Sequence, residues 1–201
     1  MSYLLLVVFW VAWCVLHSAL ISLSFTEWLR KQMPGMTPYF RIFYNSVSLL
    51  TLLPVLYYAY LLRGTVVVSW GGPWRMLQIV LILLAVLMFV AGARRYDLAQ
   101  FLGFRQIKDE KACSLLTDDC SLDTRGILSI VRHPWYTGGI FVVWARPLDL
   151  AAILTNLVVC AYFVVGAILE ERKLVLQFGE EYRSYQKRVP MLFPVKWLAR
   201  K

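Results

Sequence analysis

Two short stretches of this chain hold the side chains best suited to chemistry: Arg132-His133-Pro134-Trp135-Tyr136 and Glu170-Glu171. His133 stands where a helix N-cap would be. Pro134 follows at the first helical position, where its missing N–H costs nothing. The N–H groups of Trp135 and Tyr136 are then left without intrahelical acceptors. With the positive end of the helix dipole they make a place for an anion such as a ligand carboxylate. Glu170 and Glu171 mark the opposite kind of boundary, where an apolar run passes into the charged sequence EERK. An anion-binding helix start facing a pair of carboxylates suits a ligand that is zwitterionic and also cationic. Each piece has a plainer reading, His133-Pro134 as a simple cap and one glutamate as a solvated helix end. Only their combination favours a site.

A further polar group lies in the N-terminal half. His17 sits in the middle of one apolar run, and Arg41, Tyr44 and Asn45 open the next. Polar groups at such depth face a protein interior or a cavity. His17 therefore reads either as an interhelical hydrogen-bond partner or as part of a ligand pocket shared with Arg41, Tyr44 and Asn45.

The elements that must position these residues are apolar. Of 201 residues, 60% are hydrophobic and 16% charged, with a mean hydropathy of +0.62, whereas a soluble domain carries about one quarter charged residues. The runs predict an all-α integral membrane bundle of five transmembrane helices, at about residues 3–24, 41–62, 74–93, 131–146 and 150–169. The first reads as a retained span, since it has neither a basic leader nor a small-residue cleavage site. A loop with Glu27, Arg30, Lys31, Pro34 and Pro38 follows it, and Pro54 is expected to kink the second span. The fourth segment, about 17 residues or roughly 25 Å, is marginal for a crossing. One long polar loop covers residues 94–132, which divides the chain into a three-span region (1–93) and a second region (94–201). Past Gly179, the stripe Leu174, Phe178, Tyr182, Tyr185 and Val189 has helical spacing, with Arg183, Lys187 and Arg188 off it. That pattern predicts an amphipathic helix lying on the membrane.

Charge selects the arrangement. If the marginal segment crosses, 18 of the 21 Lys and Arg fall on one side; if it is re-entrant, the split is 10 to 11. The positive-inside rule favours five crossings, with the N-terminus outside and the long loop and C-terminus in the cytoplasm. The net charge of +9 is thereby assigned to membrane anchoring and lipid contact, not to nucleic acid. Cys113 and Cys120 share the loop without metal-ligand spacing, so all four cysteines are expected to be free thiols and no metal site is expected.

The sequence Arg132-His133-Pro134-x-Tyr136-x-Gly138, then Glu170-Glu171-x-x-Leu174, Phe178-Gly179, Tyr182, Tyr185 and Val189-Pro190 resembles the isoprenylcysteine carboxyl methyltransferase superfamily. The resemblance covers about residues 97–194. In the N-terminal half, His17-Ser18, Arg41-x-x-Tyr44-Asn45 and Asp97-x-x-x-Phe101-Leu102-Gly103 resemble the branch of bacterial methanethiol S-methyltransferases and NnrU-like membrane proteins. The resemblance implies an enzyme of the bacterial inner membrane that uses S-adenosyl-L-methionine as methyl donor at its cytoplasmic face. Carried over residue by residue, it implies cofactor contacts at Leu122, Asp123 and Gly126 in the loop, at His133, Pro134, Trp135 and Tyr136, and at Glu170. In the mechanism expected on that basis, Glu170 holds the cofactor's cationic or hydroxyl groups and Glu171 orients Arg132 or another cation. His17, Arg41, Tyr44 and Asn45 become candidates for the methyl acceptor's pocket.

Two departures stand out. The superfamily carries tyrosine two residues after the glycine where this chain has Gly126-Ile127-Leu128. Prenylcysteine enzymes place an arginine for the substrate carboxylate where this chain has Gly166. The second departure favours a small or lipophilic thiol-type acceptor. A sterol-reductase-like, NADPH-dependent oxidoreductase and a non-catalytic membrane accessory protein are the competing functions.

Overall fold

A computed structural model describes residues 1–108 and 121–194; Cys113 and Cys120 lie outside them. Among the described residues every regular element is helical, and the only β feature is a single bridge between Val68 and Leu148. Four of the described helices are long and apolar enough to cross a membrane: α1 (Ser2–Leu20), α3 (Phe40–Leu61, entered through a 3-10 turn at Pro34–Tyr39), α4 (Trp74–Ala93) and α8 (Leu150–Phe178). In each, 17% of the apolar window is buried inside the protein. Many of the other Leu, Val and Ile side chains of these helices are exposed, an arrangement suited to apolar surroundings.

The segment after α1 is not a loop. Ser22 accepts from the Phe25 N–H at 3.2 Å and starts α2 (Leu23–Gln32), a ten-residue surface helix with Arg30 and Lys31 in its last turn. A serine N-cap followed by helix-tolerant residues is enough to nucleate it against α1. Asp97 in the same way caps α5 (Leu98–Leu102), which leads into α6 (Phe104–Lys108), and Asp149 caps α8.

The marginal fourth segment folds as α7 (Pro134–Trp144), 11 residues, or about 16 Å. Pro134 fixes its start. Its end follows from Pro147, which disfavours helix at Arg146. The chain nonetheless travels further than the helix. Alongside α4, Trp135 donates to the Phe89 carbonyl at 3.2 Å, whereas at the far end Gln78 donates to the Ala145 carbonyl at 2.7 Å. Leu148 then pairs with Val68 and Asp149 accepts from the Gly64 N–H, both in the loop that follows α3. α8 therefore begins at the end of the bundle where α3 finishes and α4 starts.

α8 packs on α1 and runs parallel to it, through Trp10 to Thr155, Ser18 to Tyr162, and Lys173 to the Ile21 carbonyl. It continues well beyond residue 169, to Phe178, and has 29 residues in all, or about 43 Å. Gly179 ends it and starts α9 (Glu180–Arg188). The stripe assigned above to the membrane surface is spent on protein: Leu174, Tyr182, Tyr185 and Val189 form a buried cluster with Tyr96 and Leu122.

Candidate active site

The chain after α9 turns back beneath the start of α7. Arg132 N–H donates to the Pro190 carbonyl at 3.0 Å and His133 N–H to that of Met191 at 3.1 Å. The buried Thr137 hydroxyl reaches the Leu192 carbonyl at 2.7 Å. These bonds fix the backbone of the histidine before its side chain does anything.

His133 occupies the N-cap position of α7 without capping it through its side chain. The imidazole turns instead to the paired glutamates, with Nε2 at 3.1 Å from Glu171 Oε1 and Nδ1 at 3.7 Å from Glu170 Oε2. Its ring stacks on Tyr136, which stacks in turn on Phe163, each step 5.4 Å between centroids. Pro134 is buried and sets this geometry from below.

The glutamates differ sharply. Glu171 Oε1 also accepts from Arg132 Nε at 2.6 Å, and its Oε2 accepts from Gln186 Nε2 at 2.7 Å, so this carboxylate is shared among three donors. Arg132 is itself closed off by the carbonyls of Gln186 and Val189. Arg132 and Glu171 are thus a buried ion pair locking α7, α8 and α9 together. Glu170 accepts from the Tyr136 hydroxyl at 3.1 Å, and its side chain is 24% exposed against 9% for Glu171. Part of its carboxylate is left at the surface.

A cleft opens in front of Glu170 and His133. Its polar lining adds Arg132 and Asp123; its walls are Leu122, Leu128 and Leu174, with the rings of Tyr96, Tyr182 and Tyr185. Burial, reinforced by the charge of Glu170, pushes the Tyr96 phenol well up. Burial does the same at Tyr182 and Tyr185, so all three stay neutral O–H groups. Leu128, where a tyrosine was anticipated, contributes an apolar side chain, while its carbonyl accepts from the Tyr185 hydroxyl. Asp123 is held by Arg95 at 3.5 Å and by the N–H of Arg125 at 3.0 Å. Gly126 has φ +61, a left-handed backbone, and a Cβ there would sit 2.9 Å from Arg95 Nε. Leu122, Asp123, His133 and Glu170 thus come together around the cleft, whereas Gly126 stands outside its lining, against the Arg95 that holds Asp123. The indole of Trp135 does not line it, packing edge-on against Tyr96 and Phe101. What Trp135 offers the helix start is its backbone N–H.

The N-terminal quartet divides. Arg41 donates to the Phe101 carbonyl at 3.2 Å and Asn45 to that of Leu102 at 3.1 Å, so both fasten the end of α5 onto α3. His17 and Tyr44 belong to another cluster, bonded to each other and, through His17 Nδ1, to Ser48 at 2.9 Å. Sequence reasoning missed Gln186, Tyr96 and Ser48. Tyr96 follows the Arg94-Arg95 pair and could have been noticed as an aromatic at the membrane boundary. Gln186 carried no signal, because its partner Glu171 is met only when α9 folds back.

The fold and the site together define a multi-helix membrane protein with an acidic, aromatic-walled cleft at a helix start. The chain belongs to the family described as NnrU protein, whose model matches residues 4–195. It is 43% identical over 77 residues to the methanethiol S-methyltransferase of Pseudomonas deceptionensis, covering 38% of this chain and 29% of that protein. Over 69 residues it is 46% identical to methanethiol S-methyltransferase 1 of Bradyrhizobium diazoefficiens, covering 34% and 24%. A third relative, the protein-S-isoprenylcysteine O-methyltransferase of Schizosaccharomyces pombe, is 36% identical over 83 residues, covering 38% and 34%. The matches therefore span about a quarter to a third of the curated relatives' length. No solved structure matches the chain.

Proposed function

We propose that this protein is an integral membrane methyltransferase that uses S-adenosyl-L-methionine and acts on a small or lipophilic thiol. The observation that carries the reading is Glu170: its carboxylate fronts the cleft while the bonds of Glu171 to Arg132, His133 and Gln186 hold the surrounding scaffold. The residues present fit that cofactor by class. A carboxylate answers its ammonium and sulfonium charge, the N–H groups at the start of α7 answer its carboxylate, and the aromatic and leucine walls suit a nucleoside. When bound, S-adenosylmethionine supplies an electrophilic methyl group on a sulfonium, and because charge is neutralised as a thiolate takes it, a dry site favours transfer. The protein's own contribution is then position and exclusion of water. Tyr136 and His133 orient Glu170, and the Arg132–Glu171 pair fixes His133.

The same reading places the protein in a bacterial inner membrane with five crossings, the N-terminus outside and the cleft in the cytoplasm. The charge asymmetry supports it, and so does the path of residues 134–148 along α4.

Labelled methyl transfer over a panel of thiols, amines and carboxylates tests the function. Thiols should be the best acceptors. A preference for carboxylates would refute the use made of Gly166, and binding of NADPH in place of S-adenosylmethionine would refute the enzyme class. Glu170→Gln should weaken S-adenosylmethionine binding by about tenfold or more, as expected for one charge-assisted contact of about 1.5–3 kcal/mol. Unchanged affinity and turnover would remove Glu170 from its assigned role.

A further inference from the structure

The cleft lies on one side of Glu170. Towards α1, α8 carries Tyr162, Gly166 and Glu170, spaced four apart and so on one face of the helix. Gly166 leaves a gap in that row, since a Cβ placed there would find its nearest neighbour, the Tyr136 hydroxyl, 3.8 Å away. One end of the row is Glu170, bonded to Tyr136. The other is Tyr162, whose hydroxyl lies 3.1 Å from Ser18 Oγ and whose ring stands edge-on to His17 at 5.9 Å.

His17 is held more tightly than a packing histidine needs. It stacks on Trp13 at 4.9 Å, its Nδ1 lies 2.9 Å from Ser48 Oγ, and its Nε2 shares a 2.5 Å hydrogen bond with the buried Tyr44 hydroxyl. Nothing in the cofactor cleft uses this cluster. A thiol acceptor, however, leaves a chemical task undone. The thiolate is the nucleophile; a cysteine thiol, with a pKa of about 8.5, is already mostly protonated near neutral pH, and a simple alkanethiol, a weaker acid, is more so. A thiol that partitions through lipid arrives neutral. Of the two histidines in the chain, His133 is committed to the glutamates, which leaves His17.

We propose that Tyr44 and His17 form a proton relay for an acceptor thiol seated at Gly166; the proposal rests on the thiol methyltransferase reading above. As the S–H bond breaks, its proton passes to the Tyr44 oxygen while the Tyr44 proton passes to His17 Nε2. The S–H electron pair stays on sulfur as the thiolate. Tyr44 ends neutral and His17 ends as imidazolium, with Nδ1–H donated to Ser48. The groups around the ring are Tyr44 and Ser48 from α3, Trp13 from α1 and Tyr162 from α8. Arg41 is the charged side chain that acts on it.

The test compares ethanethiol with trifluoroethanethiol, a thiol of the same length made far more acidic by its fluorines. Labelled transfer by the purified full-length protein is measured for wild type, Tyr44→Phe and His17→Gln. Near neutral pH both variants should slow ethanethiol by about 100-fold, the lower range for loss of a general base, yet slow trifluoroethanethiol by no more than about threefold. The ethanethiol deficit should close as pH rises towards that thiol's own pKa. Retained trifluoroethanethiol turnover and S-adenosylmethionine binding report that the variants are folded. Equal losses on both thiols at every pH would reduce the cluster to packing and overturn the relay, as would no loss on either. A wild-type protein that methylates neither thiol would sink the methyltransferase reading itself, and the relay with it.

Discussion

Glu170 and Glu171 are adjacent in sequence and do different work because one helical step turns them towards different neighbours. Glu171 meets Arg132, His133 and Gln186. Removing one partner of a buried pair leaves an uncompensated charge, so Arg132→Ala should lower stability by about 3–5 kcal/mol, read as a fall in the thermal midpoint in detergent. Glu170→Gln should leave that midpoint within about a degree, because its carboxylate is partly solvated and its tyrosine bond survives in the amide. A comparable loss of stability in both variants would contradict the division of labour.

At the scale of elements, α5 hangs on Asp97. Its carboxyl is held below the usual carboxylate range by the Gln100 N–H and then by Arg105. A depressed pKa stabilises fully above the unfolded value of about 3.9 and loses that stabilisation as pH falls through the lower folded value. Hydrogen exchange should therefore show the amides of α5 losing protection in acid below about pH 4. Asp97→Asn keeps a cap and removes this pH dependence. The packing of α4 on α7 has a different weak point. A Cβ at Gly138 would lie 3.2 Å from Met88 Cβ and 3.3 Å from the Ala85 carbonyl. Gly138→Leu should force the helices apart, at a cost of about 1–3 kcal/mol or more, with loss of cleft binding. Full S-adenosylmethionine affinity in that variant would show that the cleft does not depend on this contact.

For the whole molecule, the prediction concerns sides. In a background with the four native cysteines replaced, Gly71→Cys and Ser184→Cys should react from opposite faces of the membrane with an impermeant thiol reagent. Labelling from one face would make residues 134–148 re-entrant. The 18-to-3 division of basic charge would then lose its meaning, because the C-terminal positive charges would sit with the outer loops.

How much of this could be read from residues alone depends on how local the cause was. The spans at α1, α3, α4 and α8 were legible because apolar run length acts within one segment. So was the start of α7, because Pro134 dictates it through its own ring. That Leu122, Asp123, His133 and Glu170 would gather at one cleft was legible through a resemblance in order and spacing. What folding decided lay between segments. The sequence could not show that residues 174–189 would spend their apolar stripe on Tyr96 and Leu122, since an amphipathic helix satisfies itself equally on lipid or on protein. Nor could it show that Arg41 and Asn45 would bind the end of α5 while Tyr44, on the same helix, turned to His17. Side chains three or four residues apart share a helix face, but which backbone carbonyls that face meets is fixed only when α5 docks. Chain composition and run lengths determined a helical membrane protein with a polar boundary site; tertiary contact alone added Gln186 to Glu171 and the carbonyls that close off Arg132, because both lie on a segment that meets them only when α9 folds back.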